Sequence, residues 1–174
     1  MKFFNAVDRL AIMLPRERKH RLSRECYRGQ IAVAFTTCLR LEPATIVDAV
    51  AFELIHSKLI HAAAKFDCEL TAWCLMPDHL HVLLFGRSPE ADTWKAIVDF
   101  KQQTGYWLKT NRPGIVWQRD FYDHVIRSDE SLERHARYIL ENPMRAGLVV
   151  DWTDHPRTGG ELVAAFRAEE TERG

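Results

Sequence analysis

The sequence predicts an α+β domain, a single antiparallel sheet with helices packed on it. Three observations carry that expectation. Short runs rich in β-branched and aromatic residues, Gln30–Leu39, Leu70–Met76 and His79–Phe85, read as strands. The second and third meet at Pro77-Asp78, where Pro cannot donate to a ladder and Asp tolerates turn geometry, so they form an antiparallel hairpin. The longer segments around them repeat apolar residues at spacings of three and four, the helical period.

In chain order, residues 1–28 form a basic amino-terminal arm, irregular apart from a short helix before Pro15. After the first strand, Glu42-Pro43 opens a helical pattern reaching about Phe66. Val47, Val50, Ala51, Leu54 and Lys58, with Ile55, Leu59 and Ala62, lay one stripe toward the core. Beyond the hairpin, Gly86 and Pro89 precede a helix over residues 91–110, carried by Trp94, Ile97, Val98, Lys101, Trp107 and Leu108. Asn111-Arg112-Pro113-Gly114 breaks it. Ile115–Trp117 and Phe121–Ile126 read as short strands. Ser128 or Asp129 caps a last helix, with Asp129 and Glu130 at its positive end. That helix runs to about Asn142, where Pro143 ends it. The order is β-α-β-β-α-β-α. Residues 29–152 form one domain, and residues 153–174 are expected as a C-terminal tail whose last fifteen residues are disordered.

Composition agrees with one soluble globular domain. The 174 residues are 47% hydrophobic and 28% charged. No apolar run reaches the roughly 18 residues needed to span a bilayer. The first twenty residues make a poor signal peptide, because Asp8 and Arg9 interrupt the apolar part, so a cytoplasmic protein without membrane partners is expected. Cys26, Cys38, Cys68 and Cys74 lack CxxC spacing and read as free thiols. The 24 basic and 24 acidic residues cancel, so charge alone does not announce nucleic-acid binding. The basic residues are concentrated in Arg9, Arg16, Arg18, Lys19, Arg21, Arg24 and Arg28, an arm that suits a phosphate backbone or is simply solvated. The tail is acidic, with Glu161, Glu169, Glu170 and Glu172.

Chemistry is concentrated in two places. Side chains alternate along a strand, so His79 and His81 share one face while Leu80, Val82 and Leu84 form the other, core-facing side. Their Cα atoms are about 7 Å apart, near enough for both imidazoles to reach one ion. A His-x-His pair is also found as two polar residues on a half-exposed face, and spacing alone leaves both readings open. On the last helix, Tyr138 and Asn142 are four apart on one face, with Arg134 one turn earlier and Leu132, Ala136, Ile139 and Leu140 on the apolar side. The Asn142 carbonyl can complete a His-His-Asn set. Nitrogen and oxygen ligands without thiolate suit Mg2+ or Mn2+ better than structural zinc.

Three blocks together resemble the single-tyrosine transposases of the HUH endonuclease superfamily, most closely the REP-associated tyrosine transposases. They are WCLMPDHLHVLL, the metal-binding hairpin; WQRDFYDHVIR, Trp117–Arg127; and YILENPMRAGLV, Tyr138–Val149, similar to the catalytic helix and its exit. AVAFTTCLR, Ala32–Arg40, resembles the first strand. The match covers about Cys26–Trp152. It departs at Asp78, where the branch commonly has Asn, and in the neutral net charge.

The resemblance implies a ferredoxin-like or RRM-like sheet. It also implies a metal-dependent enzyme that cleaves and rejoins single-stranded, hairpin-containing DNA through a 5′-phosphotyrosine intermediate. His79, His81 and Asn142 would hold Mg2+ or Mn2+, and Tyr138 would be the nucleophile. A free phenol ionises near pH 10, which is why an ion that activates the phosphate and fixes the line of attack is needed. DNA contacts fall to Arg16, Lys19, Arg21, Arg127, Arg134, Arg137 and Arg145, with Trp117 and Tyr122 as aromatic partners. Such transposases act as monomers or homodimers. Two other readings use the same residues: a domesticated hairpin-binding module that no longer cuts, and a metal hydrolase with Asp78 as its base.

Overall fold

The computed structural model describes residues 22–163 and 165–168. Within them six strands form one sheet. Its centre is β1 (Ala32–Leu41) beside β3 (His79–Gly86), with β2 (Cys68–Leu75) on the far side of β3. All pairs are antiparallel, Leu75 facing Leu80 across the Pro77-Asp78 turn. The free edge of β1 is shared by β4 (Ile115–Trp117) and β5 (Tyr122–Val125). A two-residue strand, β6 (Thr158–Gly159), closes the other edge against β2.

Strand alternation sorts the side chains into two layers. Val33, Phe35 and Leu39 of β1, Trp73 and Leu75 of β2, and Leu80, Val82 and Leu84 of β3 face α1 (Ala49–Lys65) and α2 (Thr93–Asn111). The opposite face holds Ala32, Cys74 and Leu83, covered by Ala136, Ile139 and Leu140 of α3 (Leu132–Leu140) together with Trp152, Val163 and Phe166. The histidines belong to this second, smaller layer. The core face expected for β3 is the one observed, but the other face is roofed by α3 rather than half-exposed.

The helix starts differ from expectation because the caps lie later. α1 begins at Ala49, not near Pro43. Ala44 turns the chain at φ 63°, and the Asp48 carboxylate accepts the Ala51 N–H at 2.8 Å. The buried stripe of α1 is Ala51, Ile55, Leu59 and Ala62, which leaves Val50 facing outward. α3 begins at Leu132 with Ser131 as its cap, because residues 127–130 close a turn in which the Glu130 carboxylate accepts the Arg127 N–H at 2.8 Å. Pro143 does not simply end the helix. The chain breaks at Glu141 and restarts as α4 (Asn142–Arg145), with the proline in the first turn, where its missing N–H has no consequence.

Tyr27, placed in the arm, is fully buried and donates its hydroxyl to Asp123 at 2.5 Å. Thr158, Val163 and Phe166, placed in the tail, belong to the sheet and the second layer. Among the described residues no helix is long and apolar enough to cross a membrane.

Candidate active site

The hairpin turn holds the first half of the site. Met76 N–H donates to the His79 carbonyl at 2.8 Å, and Leu39 N–H to that of Asp78 at 2.7 Å, tying the turn to β1. From it a polar chain runs through the second layer. Asp78 Oδ1 lies 2.6 Å from His79 Nδ1, His79 Nε2 lies 3.1 Å from His81 Nε2, and His81 Nδ1 lies 2.8 Å from Thr36 Oγ1. The rings stand edge to face, their planes 89° apart, and both histidines are buried, 3% and 4% exposed. Buried imidazoles require partners, and each outer nitrogen has one.

The electrostatics keep this chain ready to coordinate. The hydrogen bond from His79 holds the Asp78 carboxyl below its usual range, against the opposing effect of burial, so it stays anionic. Burial, aided by the charges of His79 and Arg145, pushes His81 well below the ordinary imidazole range and keeps it neutral. When neutral and donating its Nδ1 proton to anionic Asp78, His79 carries its Nε2 lone pair toward His81. With the Thr36 hydroxyl accepting the Nδ1 proton of His81, that imidazole can also present its Nε2 lone pair. These partners behave as the groups that orient metal-bound histidines do.

The donor set fits a cation. Two adjacent ligands of an octahedral ion, each about 2.1 Å away, are about 3.0 Å apart; the two Nε2 atoms are separated by 3.1 Å. Asn142, 7% exposed, donates its amide nitrogen to the carbonyls of Tyr138 and Ile139 at 3.1 and 3.2 Å, which leaves Oδ1 as the atom available to an ion.

The second half of the site is the end of α3. Tyr138 is 41% exposed, on the helix that roofs the histidine face. Arg145 stacks its guanidinium 3.9 Å from the centroid of the Tyr138 ring, contacts the Tyr138 carbonyl oxygen, and lies 3.3 Å from Glu141. The same guanidinium is close enough for its charge to be felt at His81. Arg145 thus touches the Tyr138 ring and also acts on His81 through its charge.

The remaining candidates divide. Arg127, Arg134 and Arg145 are exposed, Tyr122 is half-buried in β5, and Arg137 lies over the Phe166 ring at 4.4 Å. Trp117, expected as an aromatic partner for DNA, is 8% exposed in the α1–α2 core, and its indole N–H donates to Thr104 at 2.8 Å. Arg16, Lys19 and Arg21 lie outside the described residues. Cys38, Cys68 and Cys74 are buried free thiols, with burial pushing Cys68 up to about 11 and Cys74 to about 12. A groove of about 650 Å³ lies between α2 and the Ile115–Phe121 segment, on the side of the sheet away from the imidazoles. Thr36 had no sequence signal, because only strand pairing places it opposite His81.

Residues 12–142 match the family described as Transposase IS200 like. A Haemophilus influenzae protein carrying the name REP-associated tyrosine transposase is 34% identical over 103 residues, covering 50% of this chain and 57% of that protein. The REP-associated tyrosine transposase of Escherichia coli K12 is 27% identical over 129 residues, 70% of this chain and 72% of that one. The chain thus spans little more than half of the first relative and nearly three quarters of the second. The solved structure of a REP-associated tyrosine transposase bound to a REP hairpin shares the fold, with a TM-score of 0.65, 22% identity, and coverage of 83% and 82%. With three quarters of its length inside the family match, the chain belongs to the IS200-like transposases.

Proposed function

We propose that the protein is a metal-dependent tyrosine transposase that cleaves and rejoins single-stranded DNA beside a hairpin. One observation carries the reading: two neutralisable imidazoles with Nε2 atoms 3.1 Å apart lie beneath the helix that bears an exposed tyrosine. His79, His81 and Asn142 would hold Mg2+ or Mn2+, which when bound supplies Lewis-acid polarisation of a non-bridging phosphate oxygen.

The chain's own residues do the rest. Tyr138 Oη attacks phosphorus and loses its proton to the solvent it faces. The Oη–P bond forms, the P–O3′ bond breaks, and the departing oxygen takes up a proton as a 3′-hydroxyl. Rejoining runs the same exchange backwards from an incoming 3′-hydroxyl, so no nucleotide triphosphate is consumed. Arg145, stacked on the phenol, holds the ring and offsets the negative charge that gathers around the reacting phosphate. Exposed Arg127 and Arg134 contact the strand as it approaches. Hairpin DNA is the natural substrate class, since a relative of the same fold is bound to a REP hairpin.

The test is covalent capture. With labelled hairpin-containing single-stranded DNA and Mn2+, the wild type forms a protein–DNA adduct and Tyr138→Phe forms none. His79→Ala/His81→Ala loses the adduct and keeps hairpin binding. An adduct that survives Tyr138→Phe removes the nucleophile assignment. The zero net charge favours a second reading, a hairpin-binding module without cleavage; tight binding with no adduct in either Mg2+ or Mn2+ would establish it.

A further inference from the structure

Ligand-type side chains also converge at the opposite end of α3. His124 of β5, Glu130 of the loop and His135 in the second turn of α3 bring a ring nitrogen, a carboxylate oxygen and a second ring nitrogen within 4.8 Å of one another. His124 Nε2 lies 2.9 and 3.1 Å from the two Glu130 oxygens. The imidazoles are nearly parallel, 28° apart, with centroids separated by 5.3 Å. The Arg127 N–H at 2.8 Å fixes the carboxylate from behind. This is not the imidazole pair described above. β5 lies across β1 from β3, with Ala34 paired to His124 and Thr36 to His81.

We propose that His124, Glu130 and His135 form a second metal site, taking a borderline divalent ion of the zinc type, and that the ion fastens the start of α3 to β5. Two imidazole nitrogens and one carboxylate oxygen are a ligand set zinc uses with its fourth position left to water. His124 is exposed and the other two are half-buried, so the ion has a path in and solvent can fill the fourth position. Neighbouring ligands of such a tetrahedral ion are about 3.4 Å apart at bond lengths near 2.1 Å, so side-chain rotation must close the widest gap by at most about 1.4 Å. His135 precedes Tyr138 by three residues, about 4.5 Å along the helix axis, so clamping the first turns of α3 restrains the segment carrying that phenol. Binding itself does not depend on the role given to Tyr138.

Zn2+ alone is titrated into the chelator-treated full chain carrying His79→Gln/His81→Gln, against a chromophoric competitor. One equivalent should bind, and a hundredfold excess over Kd should raise Tm by about 5–10 °C. Adding His124→Gln/His135→Gln should weaken that binding at least a hundredfold and abolish the visible absorption of the Co2+-loaded protein, and Glu130→Gln should weaken it about tenfold. If the first double variant does not fold, wild type serves, with loss of one of two bound equivalents as the readout. Tyr138→Phe should bind Zn2+ unchanged, which separates this site from the transposase reading. Binding that ignores His124, Glu130 and His135 means an adventitious ion only, and no binding below millimolar Zn2+ overturns the site outright.

Discussion

Replacing Thr36 by valine tests the orientation of His81 with little change of shape. Thr36 is 9% exposed, and its hydroxyl is the partner 2.8 Å from His81 Nδ1. Valine offers neither donor nor acceptor, so a buried ring nitrogen loses its hydrogen bond at a cost of about 1–3 kcal/mol. That cost falls on the form of His81 able to coordinate, because a lone pair at Nε2 requires the proton on Nδ1 and an acceptor for it. At 1.4 kcal/mol per tenfold, the apparent metal affinity should drop about 10–100-fold, the range typical of partners behind a ligand. The assay is covalent adduct formation on hairpin DNA as a function of Mn2+. The midpoint should move up by that factor, the plateau should be regained at saturating metal, and Thr36→Ser should restore the original midpoint. An unmoved midpoint, or a plateau lost at every concentration, refutes the orienting role.

Other expectations follow from the same contacts. Arg145→Met removes the guanidinium from the Tyr138 face and should slow adduct formation about tenfold, read in single turnover; Arg145→Lys should recover little, since an ammonium does not reproduce a planar stack. His81 is held neutral in the fold while the unfolded chain protonates it below about pH 6.5, so the unfolded state binds the extra proton and metal-free stability should fall as pH drops through that value. The slope approaches 1.4 kcal/mol per pH unit for one proton, and His81→Gln should flatten it in urea titrations at several pH values. Leu140→Ala removes a fully buried side chain from the α3 layer and should cost about 2–5 kcal/mol, seen as a lower urea midpoint. Trp117→Phe should lower stability through the lost bond to Thr104 and leave hairpin affinity unchanged in a filter-binding assay.

What was legible in the sequence was local. Alternation along β3 was enough to separate Leu80, Val82 and Leu84 from the histidines, because a period of two depends only on the strand itself. The one-helix spacing of Tyr138 and Asn142 was less legible, because the chain breaks at Glu141 and Asn142 opens α4. Helix starts were less so: Asp48 and Ser131 outcompete earlier candidates because Ala44 and the 127–130 turn redirect the chain, and neither effect appears in a periodicity. Cross-strand facts were not readable at all. Thr36 meets His81 only through the register of β1 with β3, and Trp117 becomes core only because β4 pairs with Leu39 and brings the indole to Thr104. The burial of Val163 and Phe166 likewise depends on β6 joining β2, a contact between distant parts of the chain.

The unequal thickness of the two layers has a mechanical consequence. α1 and α2 span 17 and 19 residues and clasp one side of the sheet, whereas α3 has nine and anchors itself through three buried side chains. Of the two helical layers among the described residues, the thin roof lifts at the lower free-energy cost, so its amides should exchange with solvent before those beneath the long helices. Such lifting would uncover the buried imidazoles beneath the roof while the main core stays closed.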